Sequence, residues 1–213
     1  MRLIFARSVL LLFLGSALFF VIRLAVADAG FRLDPESALH ASFWVSAPWV
    51  RAADLARYGS SREELRAAVS LNPRLSSAWI QLGLAAEADR NPQEAELDLL
   101  QAARVDRLYL PSWTLANFYF RRGDPAKFWP WAERAARLTF DDYRPLLRLA
   151  DAFETSPERV ALRLGGGAPL LRAYLDLLIN AHRPDSAREI ARLLAARHDP
   201  ADRDRLAAFA ERP

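Results

Sequence analysis

Apolar residues follow two patterns along the chain. From Ser8 to Ile22 there are fifteen residues without a charge, bounded by Arg7 and Arg23 and extended by Leu24-Ala25-Val26-Ala27. Beyond that run, apolar residues return three or four positions apart, the period of a helix with one buried face. Leu171, Tyr174, Leu175 and Leu178 share one such face and Ile190, Leu193 and Leu194 another, which predicts an amphipathic pair over 169–181 and 185–197. Start signals recur between these faces. Ser61-Arg62-Glu63-Glu64, Asn91-Pro92-Gln93-Glu94, Asp124-Pro125-Ala126-Lys127 and Ser156-Pro157-Glu158-Arg159 each open on a side-chain oxygen that can cap a helix, and three place proline at the first helical position. Their spacings are 30, 33 and 32 residues. No alternating run of β-branched residues competes, so the pattern predicts short helices throughout.

Within that period the order of residues is specific. Asn72-Pro73 precedes Trp79, and Leu82-Gly83 follows it, a W-x-x-L-G arrangement. Leu115-Ala116 repeats the leucine-small pair 33 positions later, with Tyr119, the turn Gly123-Asp124, then Phe128, Ala132 and Ala135. A weaker copy has Leu149-Ala150 and Phe153, and its second helix is cut short by Gly165-Gly166-Gly167. Leu65, Ala68 and Pro73 fit the end of an earlier unit. This order resembles the tetratricopeptide repeat family over about residues 59–160. The resemblance implies an all-α fold, a right-handed α-solenoid of helical hairpins. Gly83 would lie where the second helix approaches closely, met by Ala95, Ala102 and Ala103. It also implies a concave groove lined by fixed positions of each first helix: Ile80, Leu84 and Glu87, then Trp113, Asn117, Phe120 and Arg121, then Arg144, Leu147 and Asp151. Asp199-Pro200 should start a last helix ending near Ala210, with Asp202, Arg203, Asp204 and Arg205 forming the polar outer face that a terminal cap needs.

The amino-terminal run is read as one transmembrane helix within residues 1–27. Its uncharged core is short for a bilayer, but flanking arginines can snorkel to the headgroups. Arg2 and Arg7 precede it while Asp28, Asp34 and Glu36 follow, which places the amino terminus in the cytoplasm and the repeats outside. A cleaved signal peptide is the competing reading, since Ala25-Val26-Ala27 has the small-x-small pattern of a cleavage site. The expected organisation is an anchor or signal over 1–27, a helical lead-in over 28–58, repeats over 59–160, and a hairpin with capping helix over 161–213.

Composition narrows the function. The 52% of hydrophobic residues suffices for a packed core. Net charge is +3, and Arg2, Arg7 and Arg23 account for it, so the folded part is neutral and lacks the basic stripe that nucleic acid requires. Cysteine is absent, which removes disulfides, thiolate metal sites and cysteine nucleophiles. His40, His182 and His198 have no metal-ligand spacing, and no metal or other cofactor is expected. The triple glycine lacks the lysine and preceding strand of a phosphate loop, and no serine has a nucleophile context. Paired acids such as Glu63/Glu64 and Asp141/Asp142 fall at helix starts, where they complement the dipole.

The expected function is a membrane-anchored, non-catalytic scaffold that binds a protein or peptide outside the cytoplasm, in the inner membrane with a periplasmic domain. One alternative is an accessory to envelope polysaccharide assembly, O-antigen or exopolysaccharide, with Trp113, Trp129 and Trp131 stacking on glycan. Exposed aromatics such as Trp129 have a further use in resting on the membrane. A helical enzyme is the remaining alternative, and no catalytic constellation supports it.

Overall fold

A computed structural model describes residues 2–33, 48–59, 61–139 and 142–210. Among the described residues every regular element is helical. The chain forms two compact units, Met1–Val105 and Asp106–Pro213, and the division falls inside the stretch expected to hold the repeats.

The first unit begins with α1, Arg2–Leu33, a helix of 32 residues that runs past the expected anchor boundary at 27. Its described apolar side chains between Val9 and Ile22 are exposed. Among the described residues no helix is long and apolar enough to cross a membrane; side chains are described without interruption only from 8 to 23, fewer than the ~20 residues a crossing takes. Residues 34–47 of the expected lead-in lie outside the described residues, and α2, Pro48–Tyr58, follows.

Next come α3, Arg62–Leu71, α4, Ser76–Ala88, and α5, Pro92–Val105. The start of α3 is a reciprocal capping box: the Ser61 hydroxyl accepts the Glu64 N–H at 3.2 Å, and the Glu64 carboxylate accepts the Ser61 N–H at 3.0 Å. Leu55, Ala56, Leu65, Ala68, Val69, Ala78 and Leu82 make one core across α2, α3 and α4. Trp79 packs at its edge and donates its indole N–H to the Pro73 carbonyl at 2.9 Å.

Helices α4 and α5 pack as a hairpin, with a close approach at Gly83. A Cβ on Gly83 would lie 2.6 Å from Leu99 Cγ and 3.1 Å from the Ala95 carbonyl oxygen. Leucine 99 is the residue that meets the glycine most closely, with Ala95, Ala102 and Ala103 buried on the same helix. Across the outer edge, the Arg62 guanidinium holds Asp89 at 2.7 Å, and Arg66 reaches Glu94 at 3.2 Å.

The second unit contains α6, Tyr109–Arg121, α7, Pro125–Leu138, α8, Arg144–Phe153, and α9, Pro157–Arg163. Then follow α10, Ala168–Asn180, α11, Pro184–Ala195, a 3-10 turn at Pro200–Asp202, and α12, Arg203–Ala210. Asp124 and Ser156 cap α7 and α9 through their side chains. As the triple glycine implied, α9 has only seven residues, and Gly165 and Gly166 have positive φ. Tyr119, Phe128, Leu171, Tyr174, Leu175, Leu178, Ile190 and Leu194 are buried, whereas Leu193 is half-exposed.

One turn is used repeatedly across the two units. Arg90-Asn91-Pro92, Gly123-Asp124-Pro125, His182-Arg183-Pro184 and His198-Asp199-Pro200 each place a left-handed residue before the cap, with φ of 59°, 65°, 54° and 56°. The N–H of Asn91, Asp124 and Arg183 then reaches back to Ala86, Tyr119 and Leu178, which satisfies a carbonyl at the preceding helix end.

The expected polar cap differs in one respect. Asp202 is only 1% exposed and takes a bidentate pair from Arg172 of α10, at 2.6 and 3.1 Å, while Asp199 holds the same guanidinium at 2.7 Å. Its partner lies 30 residues away, so the aspartate ties the last helical segment to α10 instead of facing water.

Candidate ligand-binding cleft

The sequence assigned ten residues to a groove, and they take different places. In the first unit Ile80 is buried in the core, Leu84 is exposed and Glu87 is half-buried. In the second, Trp113 stacks on Tyr109 with ring centres 6.1 Å apart, one turn away on the same helix. The Asn117 amide turns back to the Trp113 carbonyl at 3.1 Å. Phe120 packs its ring against Phe128 and Phe153, at 6.3 and 5.3 Å between centres, so it belongs to an aromatic core. Arg121 is exposed and engaged with another group of the chain. Leu147 is fully buried. Arg144 and Asp151 each line a hollow.

The larger hollow is a cleft of about 530 Å³ between α8 and α10, continued at one end by a smaller hollow of about 290 Å³. Arg144 and Arg148 of α8 form one wall, and Ala173, Asp176, Leu177 and Asn180 of α10 form the other. Arg148 lies on both hollows. It is four residues after Arg144, hence on the same helical face, whereas Leu147 is turned into the core.

Helix α8 begins with its own ion pair. Asp142 accepts the Arg144 backbone N–H at 3.0 Å and its guanidinium at 2.8 and 3.1 Å. Those hydrogen bonds hold the Asp142 carboxyl below its ordinary value, with the backbone bond and the charges of Arg144 and Arg148 adding to the effect. Arg144 is neutralised in this way. Arg148 makes no hydrogen bond or ion pair among the described residues, so it is the cation of the cleft left for a ligand.

Asp151 closes the smaller hollow. It accepts the Tyr174 hydroxyl in a short hydrogen bond and the Arg183 guanidinium at 2.7 Å. Burial first, and then that carboxylate, push the Tyr174 phenol well above its ordinary value, so it stays a neutral donor. Asp151 thereby braces α8 against α10 and the start of α11, and its charge is spent on that brace.

The aromatic residues considered for glycan are partly covered. Arg163 lies over Trp129 at 4.8 Å and Arg134 over Trp131 at 5.4 Å. Among the described residues no cluster of His, Asp or Glu could hold a metal ion. The residues that reading the sequence missed are Arg148, Asp176 and Asn180. Arg148 had a signal, its four-residue spacing from Arg144; the other two needed the packing of α10 against α8. No family model matches this chain, and no curated protein matches it.

Proposed function

We infer that this chain is a membrane-anchored scaffold of the tetratricopeptide kind, without catalysis of its own, that binds a protein or peptide segment in the α8–α10 cleft. The observation that carries this reading is the cleft itself: an apolar stretch of Ala173 and Leu177 in its wall, with Asn180 to pair with a peptide backbone and Arg148, which has no hydrogen bond or ion pair among the described residues, to meet a carboxylate. In this reading the hairpins stack as a right-handed solenoid. The anchor is α1, whose run from Ser8 to Ile22 has no charge and leaves its described apolar side chains uncovered. Arg2 and Arg7 before it and Asp28 after it favour a cleft on the outer side of the inner membrane. Tethering raises the local concentration of the cleft near membrane partners, so a weak site suffices.

The test is site-specific photocrosslinking in intact membranes. A crosslinking residue in place of Arg148 should trap a discrete protein band, and the same residue in place of the exposed Glu158 should not. Equal trapping at both positions, or none at Arg148, refutes the cleft as the binding surface. Topology is read separately, by a reporter fused after Pro213 that is active only outside the cytoplasm; an inactive fusion refutes the orientation.

A further inference from the structure

A second concave surface adjoins the cleft, sharing Ile179 with its main hollow and Arg183 with the smaller one. Between α11 and α12 runs an open groove of about 810 Å³. Its floor is Ala191 and Ala195, spaced by four along α11 and therefore on one face, with Ala187 fully buried one turn before them. Leu206 and Phe209 of α12 line the same groove and are half-buried. An alanine floor lets another backbone approach closely, and the nine residues from Ala187 to Ala195 span ~12 Å, about two turns of helix.

The edges of the groove are basic. Arg188 and Arg192 line it and are exposed, and among the described residues no carboxylate lines it. Arg188 holds Asp185 at 2.6 Å, but the Asp185 side chain is 91% exposed, and a pair so solvated is easily exchanged. Arg192 has no side-chain partner among the described residues. Arginine forks bind carboxylates in a bidentate manner. A flat bilayer cannot enter a concave slot, whereas a helix can.

From these features we propose that the α11–α12 groove docks a short amphipathic helix of a partner protein, with leucine-type residues on its inner face and Asp or Glu along its edges. The apolar face fills the slot above the alanines and the acids pair with Arg188 and Arg192. Arg188, Arg192, Leu206 and Phe209 lie outside the lining of the α8–α10 cleft, so this docking is tested apart from it.

The chain has no cysteine, so Ala195→Cys, at an exposed position, gives a single labelling site in the groove. The full-length protein carries an environment-sensitive fluorophore there, in uncharged detergent micelles. The probe is a synthetic peptide about three helical turns long with a leucine face flanked by glutamates, compared with its glutamate-to-lysine counterpart. The acidic peptide should shift the label saturably, and raised salt should weaken it. Arg188→Glu with Arg192→Glu should raise the half-saturating concentration at least about tenfold, with the far-UV dichroism unchanged. Arg148→Ala should leave it unaltered. Since the peptide comparison needs only the labelled parent protein, a misfolded variant does not block the test. Equal response to the lysine peptide overturns the proposal. So does an unchanged half-saturation in the folded charge-reversed variant, or a shift of equal size with phosphatidylglycerol vesicles, which assigns the face to lipid. A shift that tracks protein concentration without peptide also overturns it, in favour of self-association.

Discussion

Replacing Gly83 with alanine adds one methyl group at a close approach between α4 and α5. That methyl would sit 2.6 Å from Leu99 Cγ, 2.8 Å from Leu99 Cδ2 and 3.1 Å from the Ala95 carbonyl oxygen. Carbon atoms rest at about 3.5–4.0 Å, so the helices must separate by roughly 1 Å or Leu99 must leave its rotamer. Leu99 is 1% exposed and has nowhere to move, and the Ala95 oxygen is backbone. Overpacking of this kind costs about 1–3 kcal/mol. Alanine returns about 1 kcal/mol through its higher helix propensity. The net expectation is a loss of about 0–2 kcal/mol, up to ~8 °C in Tm at about 2–4 °C per kcal/mol for a chain of this size.

The decisive measurement is a double-mutant cycle with Leu99→Ala, followed by urea denaturation of the full-length chain in mild detergent. Leu99→Ala alone should cost about 2–5 kcal/mol through its cavity. In the double variant the new methyl group occupies that cavity, so the losses should fall short of their sum by about 1 kcal/mol or more. A single Gly83→Ala change that stabilises by its full propensity gain, with additive effects in the cycle, refutes the close approach.

Three further outcomes are expected, each read by the same denaturation assay. Pro130 is exposed inside α7, where it removes a hydrogen bond, so Pro130→Ala should stabilise by about 1–3 kcal/mol; no gain would mean that α7 is broken at that point. Asp202→Ala removes the bidentate partner of Arg172 and leaves its guanidinium to Asp199 alone, so it should lower stability; adding Arg172→Leu should recover part of the loss, and a neutral single change would refute the tie. The buried Ser112 hydroxyl has no hydrogen-bond partner among the described residues, so Ser112→Ala should be neutral or stabilise by about 1 kcal/mol; a measurable loss would reveal a partner.

Much of the local structure was legible because it depends on residues a few positions apart. The capping oxygen of Ser61, Asp124 or Ser156 reaches an N–H only three residues on, and the short α9 follows from glycines next to it in the chain. Burial of Leu171, Tyr174, Leu175 and Leu178 was likewise carried by helical spacing. The left-handed Arg90, His182 and His198 were not legible, since only the demands of a tight turn push non-glycine residues to positive φ.

Tertiary packing decided the rest. A helix of known extent still has to choose its rotation, and a shift of one residue turns a side chain by about 100°. That choice placed Leu147 in the core and Arg148 in the cleft, and sent Phe120 to the rings of Phe128 and Phe153. The same holds for charge. Asp202 looked like a solvated surface residue until α10 brought Arg172 to it across 30 residues, and Asp151 looked like a ligand group until Tyr174 and Arg183 closed on it. Periodicity and caps are written in neighbouring residues, whereas a partner distant along the chain is supplied only by the packing of one helix on another.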